Sequence, residues 1–183
     1  MTTPAWKKSC WRFLGSKLFR LTPHTAHALR RKILGFFGAA VHNKAKIRRS
    51  ARITCPWNLT IDQLAIIGDH ALLDSARPIT LGARSVVSQL TVLTTQMRDP
   101  NTASHPTIHA PIVVEDDAWV AADTLVLPGS TISQGTVVGA RSFIDQSTTE
   151  PWHICVGHPA KAIKPRDYFA RTTESDSANG GAQ

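Results

Sequence analysis

From Val114 to Ile144 a branched aliphatic residue returns at every sixth position: Val114, Val120, Val126, Ile132, Val138 and Ile144. Four residues after each comes a small one, namely Ala118, Thr124, Ser130, Thr136, Ser142 and Thr148. A helix repeats its apolar face at three and four residues, and a half-buried strand repeats it at two. A period of six therefore marks a repeated unit, one short strand plus one turn. Three such units close a triangular coil of about 18 residues, with the aliphatic position pointing inward onto its copies above and below. The small residue also turns inward, near a corner where a large side chain does not fit. Gly82, Gly129, Gly135 and Gly139 are expected to relieve corners. The fold class is all-β, a parallel β-helix whose open ends need caps.

The repeat is expected to begin near residue 53. Ile61, Ile67 and Leu73 form one set in phase. Leu81, Val87 and Leu93 form a second, after two extra residues around Arg77-Pro78, and Ile108 opens a third in phase with Val114. Between Leu93 and Ile108 the polar stretch TTQMRDPNTASHPT breaks the period. It reads as a loop, about 94–107, pushed out of the coil, and such loops carry function more often than the scaffold does. Upstream, Thr22-Pro23 has the form of a helix start. Leu29, Ile33, Leu34 and Phe37 then share one face, so a helix is expected from about Pro23 to Phe37, ended near Gly38. The chain divides into a basic helical segment 1–50, a β-helix 51–167 and a tail 168–183. RTTESDSANGGAQ, at the end of that tail, has no apolar residue beyond Ala and is expected to be disordered.

The net charge of +8 is unevenly placed. Residues 1–50 hold 12 Lys/Arg and no Asp/Glu; residues 51–183 hold 9 Lys/Arg and 13 Asp/Glu, a net −4. Trp6, Trp11, Phe13, Leu14, Leu18 and Phe19 are interleaved with the cations of the first segment. Such a stripe fits a cap over an open core end, which is the expected role. It also has the composition of a helix lying on a membrane surface, so a peripheral membrane contact through residues 1–50 is the alternative. Nucleic-acid binding would rest on charge alone, with no recognised motif, and is not expected. No apolar run is long enough to span a bilayer. The N-terminus lacks the unbroken apolar core of a secretory signal. Cys10, Cys55 and Cys155 are an odd number without a CxxC, which argues against a disulfide framework or a Cys-based metal site and fits a reducing cytoplasm.

Five stretches carry a resemblance to a known family. PWNL (Pro56–Leu59), VVSQ (Val86–Gln89), APIVVEDDAWVAA (Ala110–Ala122), VLPGSTISQGTVVGARS (Val126–Ser142) and GHPAKAIKPR (Gly157–Arg166) resemble the hexapeptide-repeat acyltransferases, above all the colanic-acid-type O-acetyltransferases. The resemblance implies a left-handed coil, a homotrimer with sites at the subunit contacts, and acetyl transfer from acetyl-CoA to a sugar hydroxyl in surface-polysaccharide synthesis. No metal is expected. Small residues along the coil, Ala121, Ala122, Gly139 and Ala140, would leave room for the pantetheine arm, and corner packing explains them equally well. Lys161, Lys164 and Arg166 would meet the CoA phosphates, or form a solvated tail. His158 stands where the family usually has Asn.

Two positions depart from the family pattern. A gapless alignment from VVSQ places the family's Thr-x-Ser-His-Asp motif on Thr95–Asp99. Asp99 is kept, but the catalytic His position is Arg98, which cannot accept a proton at working pH. An Asn that helps hold the acceptor in relatives falls near Ser75. Three readings follow: the base has moved to His105 or His109 in the same loop, the chain is a catalytically degenerate scaffold, or a gap in this stretch places the motif elsewhere. A third class, the γ-carbonic-anhydrase type, shares the coil and binds a metal through three His; His70, His105 and His109 are the residues it would need.

Overall fold

Three short strands and three corners make each coil, and the coils stack in parallel. The structure, a computed structural model, describes residues 4–99, 101–148 and 150–167; the expected disorder of the tail lies outside the described residues. The first face is built from Ala40–Val41, Leu59–Ile61, Ile79–Leu81, Ile112–Val114 and Thr131–Ile132. The second is Lys46–Ile47, Ile66–Ile67, Val86–Val87, Trp119–Val120, Val137–Val138 and His153–Gly157. The third is Arg52–Ile53, Leu72–Asp74, Val92–Thr94, Leu125–Val126 and Phe143–Ile144. The chain passes from first to second face at one edge, second to third at the next, and third back to first at the last. These are called the first, second and third edges.

The inward columns are the six-residue repeat made solid. Ile47, Ile67, Val87, Val120 and Val138 stack at 0% exposure, and Cys155 takes the sixth place. Burying each such side chain is worth roughly 1.5–3 kcal/mol as an upper estimate. Ala118, Thr124, Ser130, Thr136 and Ser142 are buried beside them as expected, whereas Thr148, at the end of the series, is only partly buried. The glycine expectation divides. Gly129 and Gly135 adopt φ +85° and +66°, where a left-handed corner is required. Gly82 and Gly139 are needed for space instead: an added Cβ would sit 2.7 Å from the Asp116 backbone N or 2.6 Å from Val156 Cγ1. Elsewhere the same corner, three residues after the aliphatic one, is held by Leu64, His70, Arg84, Leu90, Asp117, Asp123 and Arg141, all at positive φ.

Three expectations are corrected. The coil begins at Ala40 and not near residue 53, so the 50/51 boundary falls inside the first coil. Val41, Ile47 and Ile53 carry the period with Ala45 and Ala51 as the small partners; Lys46, Arg49 and Arg52 on the outside mask it. Ile108 is not a coil position. It lies 41% exposed in an antiparallel hairpin opposite Met97, and the coil resumes at Ile112. The helix expected from Pro23 runs over His27–Phe36. Thr22 instead ends the preceding helix, its hydroxyl donating to Phe19 O at 2.8 Å. The expected stop holds: Gly38 sits at φ +98° and Ala39 N–H donates to Leu34 O.

The reason for the late start is Arg30, which is wholly buried. Its Nε donates to Ile47 O at 2.7 Å, Nη1 to Thr22 Oγ1 and Pro23 O at 2.8 and 2.7 Å, and Nη2 to His24 O at 2.8 Å. His27 Nδ1 lies 3.1 Å from Nη2 and 3.0 Å from Ile47 O, accepting from the guanidinium in one tautomer and donating to the carbonyl in the other. Forming helix at residues 22–24 would take those acceptors away. The helices thus sit on the open end of the coil as a cap. Trp11 contributes its Nε1–H to Ile53 O at 3.0 Å and packs edge-on against Phe19 and Phe37.

Candidate active site

On each coil the two residues after the second-face aliphatic form the second edge. They are Arg48-Arg49, Gly68-Asp69, Ser88-Gln89, Ala121-Ala122 and Gly139-Ala140. Backbone hydrogen bonds lock these steps together: Ser88 N to Val120 O at 2.9 Å, Ala121 N to Val138 O at 2.9 Å, Arg141 N to Ala122 O at 2.9 Å and Gly139 N to Cys155 O at 2.8 Å. The first of the two positions is small from Gly68 to Gly139 and the second at Ala122 and Ala140, which leaves a shallow strip along the coil axis. Gly68 and Ser88 belong to it and were not singled out from the sequence. The signal was available, because they occupy the same hexad position as Ala121 and Gly139. An added Cβ on Gly68 would lie 2.6 Å from Gln89 N, so nothing larger fits.

The loop leaves at the third edge. Gln96–Arg98 pairs antiparallel with Thr107–His109, with Gln96 opposite His109 and Arg98 opposite Thr107. Arg98 is exposed and its Nη1 donates to His105 O at 3.3 Å. Asp99 accepts from Asn101 N at 2.9 Å and Thr102 Oγ1 at 2.7 Å. Those two hydrogen bonds hold its carboxyl below the usual carboxylate range, and they turn the chain at the hairpin tip. His105 is at the tip, its Nδ1 3.1 Å from Asp99 O. His109 is at the hairpin foot. Its partner Gln96 donates Nε2–H to Asp74 Oδ2 at 2.9 Å, and Thr54 and Thr94 hydroxyls reach the same carboxylate at 3.1 and 3.3 Å.

Ser75 is turned into the coil. It is wholly buried, donates Oγ–H to Cys55 O at 2.9 Å and accepts Cys55 N–H at 3.1 Å. The alternation of the strand turns Asp74 outward in its place. Arg166 is also committed elsewhere: Nη1 donates to Asp117 O at 2.9 Å and Gly135 O at 2.7 Å, at the first edge. The Arg84 guanidinium, bonded to Asp117 at 2.6 Å through Nε and through Nη2, holds that carboxyl below its usual range. Lys161 and Lys164 lie on the second face, on the antiparallel strand Ala160–Pro165, opposite Val156 and Ile154. His158 stacks on Phe143, ring centroids 6.4 Å apart. Burial raises the Cys55 and Cys155 thiols, so neither is a ready nucleophile. His70 sits at a second-edge corner, away from the hairpin that carries His105 and His109. Among the described residues no group of three His, Cys, Asp or Glu could hold a metal.

The small-residue strip and the hairpin therefore stand on different edges, with the third face between them. No protein-family model matches the chain. A protein of Escherichia coli (strain K12), provisionally named as the colanic acid biosynthesis acetyltransferase WcaF, is 39% identical over 161 residues, 87% of each chain. The maltose O-acetyltransferase of Clostridium difficile 630 superposes with a TM-score of 0.77 at 20% identity, over 88% of this chain and 86% of that one. A hexapeptide-repeat acetyltransferase of Vibrio cholerae, solved with acetyl coenzyme A, superposes with a TM-score of 0.71 at 23% identity, over 82% and 85% of the two chains. Coils of opposite hand do not superpose, so the coil is left-handed like those of its structural neighbours.

Proposed function

The chain belongs to the hexapeptide-repeat acetyltransferases, and from that membership we propose that it transfers an acetyl group from acetyl-CoA to a sugar hydroxyl in surface-polysaccharide synthesis, in the cytoplasm. The observation that carries this reading is the second-edge strip. It offers a path for a pantetheine arm, with Lys161, opposite the Val156 that packs on Gly139, to meet a phosphate. A sugar hydroxyl is far too weak an acid to ionise at neutral pH, so a base takes its proton as the oxygen attacks the thioester carbonyl. A backbone N–H holds the oxygen that gains charge, and CoA leaves as the thiol. His109 suits the base better than His105: it stands at the hairpin foot beside the Asp74–Gln96 cluster, whereas the His105 ring is engaged at the tip. Because strip and hairpin occupy different edges, one chain alone does not complete this site. A homotrimer, pairing the strip of one copy with the hairpin of the next, would.

Calorimetry with CoA tests the donor half. The wild type is expected to bind, and Ala122→Trp, which fills the strip without touching the core, is expected to abolish binding. A wild type that takes no CoA at millimolar concentration overturns the reading. A second reading, a degenerate relative that keeps the donor strip and lacks a base, is favoured by Arg98 at the family's His position. Turnover on sugar acceptors separates the two.

A further inference from the structure

The capping helices are apolar on two sides. Residues 5–21 run as Ala5–Cys10, a π-turn Trp11–Gly15, and Ser16–Leu21. One stripe, Trp11, Gly15, Phe19 and Thr22, is buried on the coil. Closing the end of the coil requires nothing more. Yet Trp6, Phe13, Leu14, Leu18 and Leu21 on the other side are between 52% and 80% exposed. Leu29 and Phe36 of the second helix are exposed as well. An apolar stripe of this extent on a surface marks something that covers it.

The charge says what. Lys7, Lys8, Arg12, Lys17 and Arg20 flank the outward stripe, within a 50-residue segment that holds no acid at all. Between the helix and the coil a cleft of about 690 Å³ is lined by Lys17, Arg20, Leu21, His24, Arg49 and His70, among others. Asp69, also in its wall, is taken by Arg48 at 3.5 Å and by the Ser50 hydroxyl at 2.6 Å. Among the described residues no carboxylate pairs with Lys17, Arg20 or Arg49. No helix among the described residues is long and apolar enough to cross a membrane.

We propose that this cap is a membrane-docking surface: the helix of residues 5–21 lies in the plane of an anionic bilayer, Trp6, Phe13, Leu14, Leu18 and Leu21 enter the acyl boundary, and the Lys17/Arg20/Arg49 cleft seats lipid phosphate. Aromatic and leucine anchors on one side with Lys and Arg beside them are the requirements of an interfacial helix. A second copy of the same patch would bring like charge against like charge, which argues against self-association through it.

Vesicle co-sedimentation with the full chain tests this. The chain is expected to pellet with phosphatidylglycerol-containing vesicles and to stay in solution with phosphatidylcholine alone. Phe13→Ser with Leu14→Ser, both outside the buried stripe, is expected to lose binding without changing the melting temperature. Lys17→Gln and Arg20→Gln are each expected to weaken it about fivefold, the equivalent of about 1 kcal/mol per cation at an anionic surface, and added salt should do the same. Absence of binding to either vesicle, or binding indifferent to both pairs of substitutions, overturns the proposal. So does a change in oligomeric state of the Phe13→Ser/Leu14→Ser variant in lipid-free buffer, which would make the stripe an interface between copies.

Discussion

Arg98 and His109 carry the sharpest question at the residue scale. With His109 as the base, His109→Ala should lower turnover on sugar acceptors by roughly 10²–10⁴-fold, with CoA binding unchanged by calorimetry. His105→Ala and Arg98→His should change it little. If the wild type is nearly inert and Arg98→His raises turnover, the degenerate reading is right. Arg30 is the residue to change for stability. Arg30→Ala strips hydrogen bonds from the Ile47, Pro23 and His24 carbonyls and from the Thr22 hydroxyl, and a hydrogen bond made by a charged group is worth roughly 1.5–3 kcal/mol. The melting temperature should fall, and Arg30→Lys should not restore it, because an ammonium has too few donors and the wrong spread. The columns of Val114 to Ile144 were legible in the sequence because every inward side chain is aliphatic and the period never slips. Arg30 was not legible. It reads as one cation in a basic run, and only the approach of Thr22, Pro23, His24 and Ile47 turns it into a buried keystone.

Single elements show where pattern reading stops. Thr22-Pro23 has every mark of a helix start, yet tertiary contacts to Arg30 outrank that local preference and delay the helix to His27. Ile108 fell in phase by accident: six residues before Val114, it belongs to a hairpin whose apolar spacing says nothing about the coil. Ser75 was placed at the site by alignment, but strand alternation turns it inward and brings Asp74 out. The second helix also has a pH dependence of its own. His27 is pulled below its ordinary value by burial first, with Arg30 acting in the same direction against the bond to Ile47 O. The folded chain thus prefers neutral His27 while the unfolded chain protonates near 6.5. The contribution to stability is complete above that pH and is lost as pH falls through it toward the folded value. Melting curves between pH 8 and 5 should show this loss, and His27→Gln should flatten it (roughly the range set by the unfolded value).

For the whole molecule, the two edges matter most. Light scattering is expected to report a trimer at micromolar concentration, and a stable monomer would separate the strip from the hairpin and remove the proposed site. A threefold arrangement about an axis along the coils would also point all three caps the same way, so weak lipid contacts would multiply into avidity.

The last strand has a different consequence. Every other strand of the coil lies parallel to the one above it, and a parallel edge can be continued by any chain that offers another. Ala160–Pro165 turns back and runs antiparallel along His153–Gly157. It ends the second face on a strand bearing Lys161, Lys164 and Pro165, residues that discourage further pairing. On the first face, Ser147 and Thr148 side chains take the Thr131 and Ser133 N–H groups that a further strand would have used. On two of the three faces a stack built to propagate is thereby brought to a stop, which removes edges that a second chain would otherwise extend.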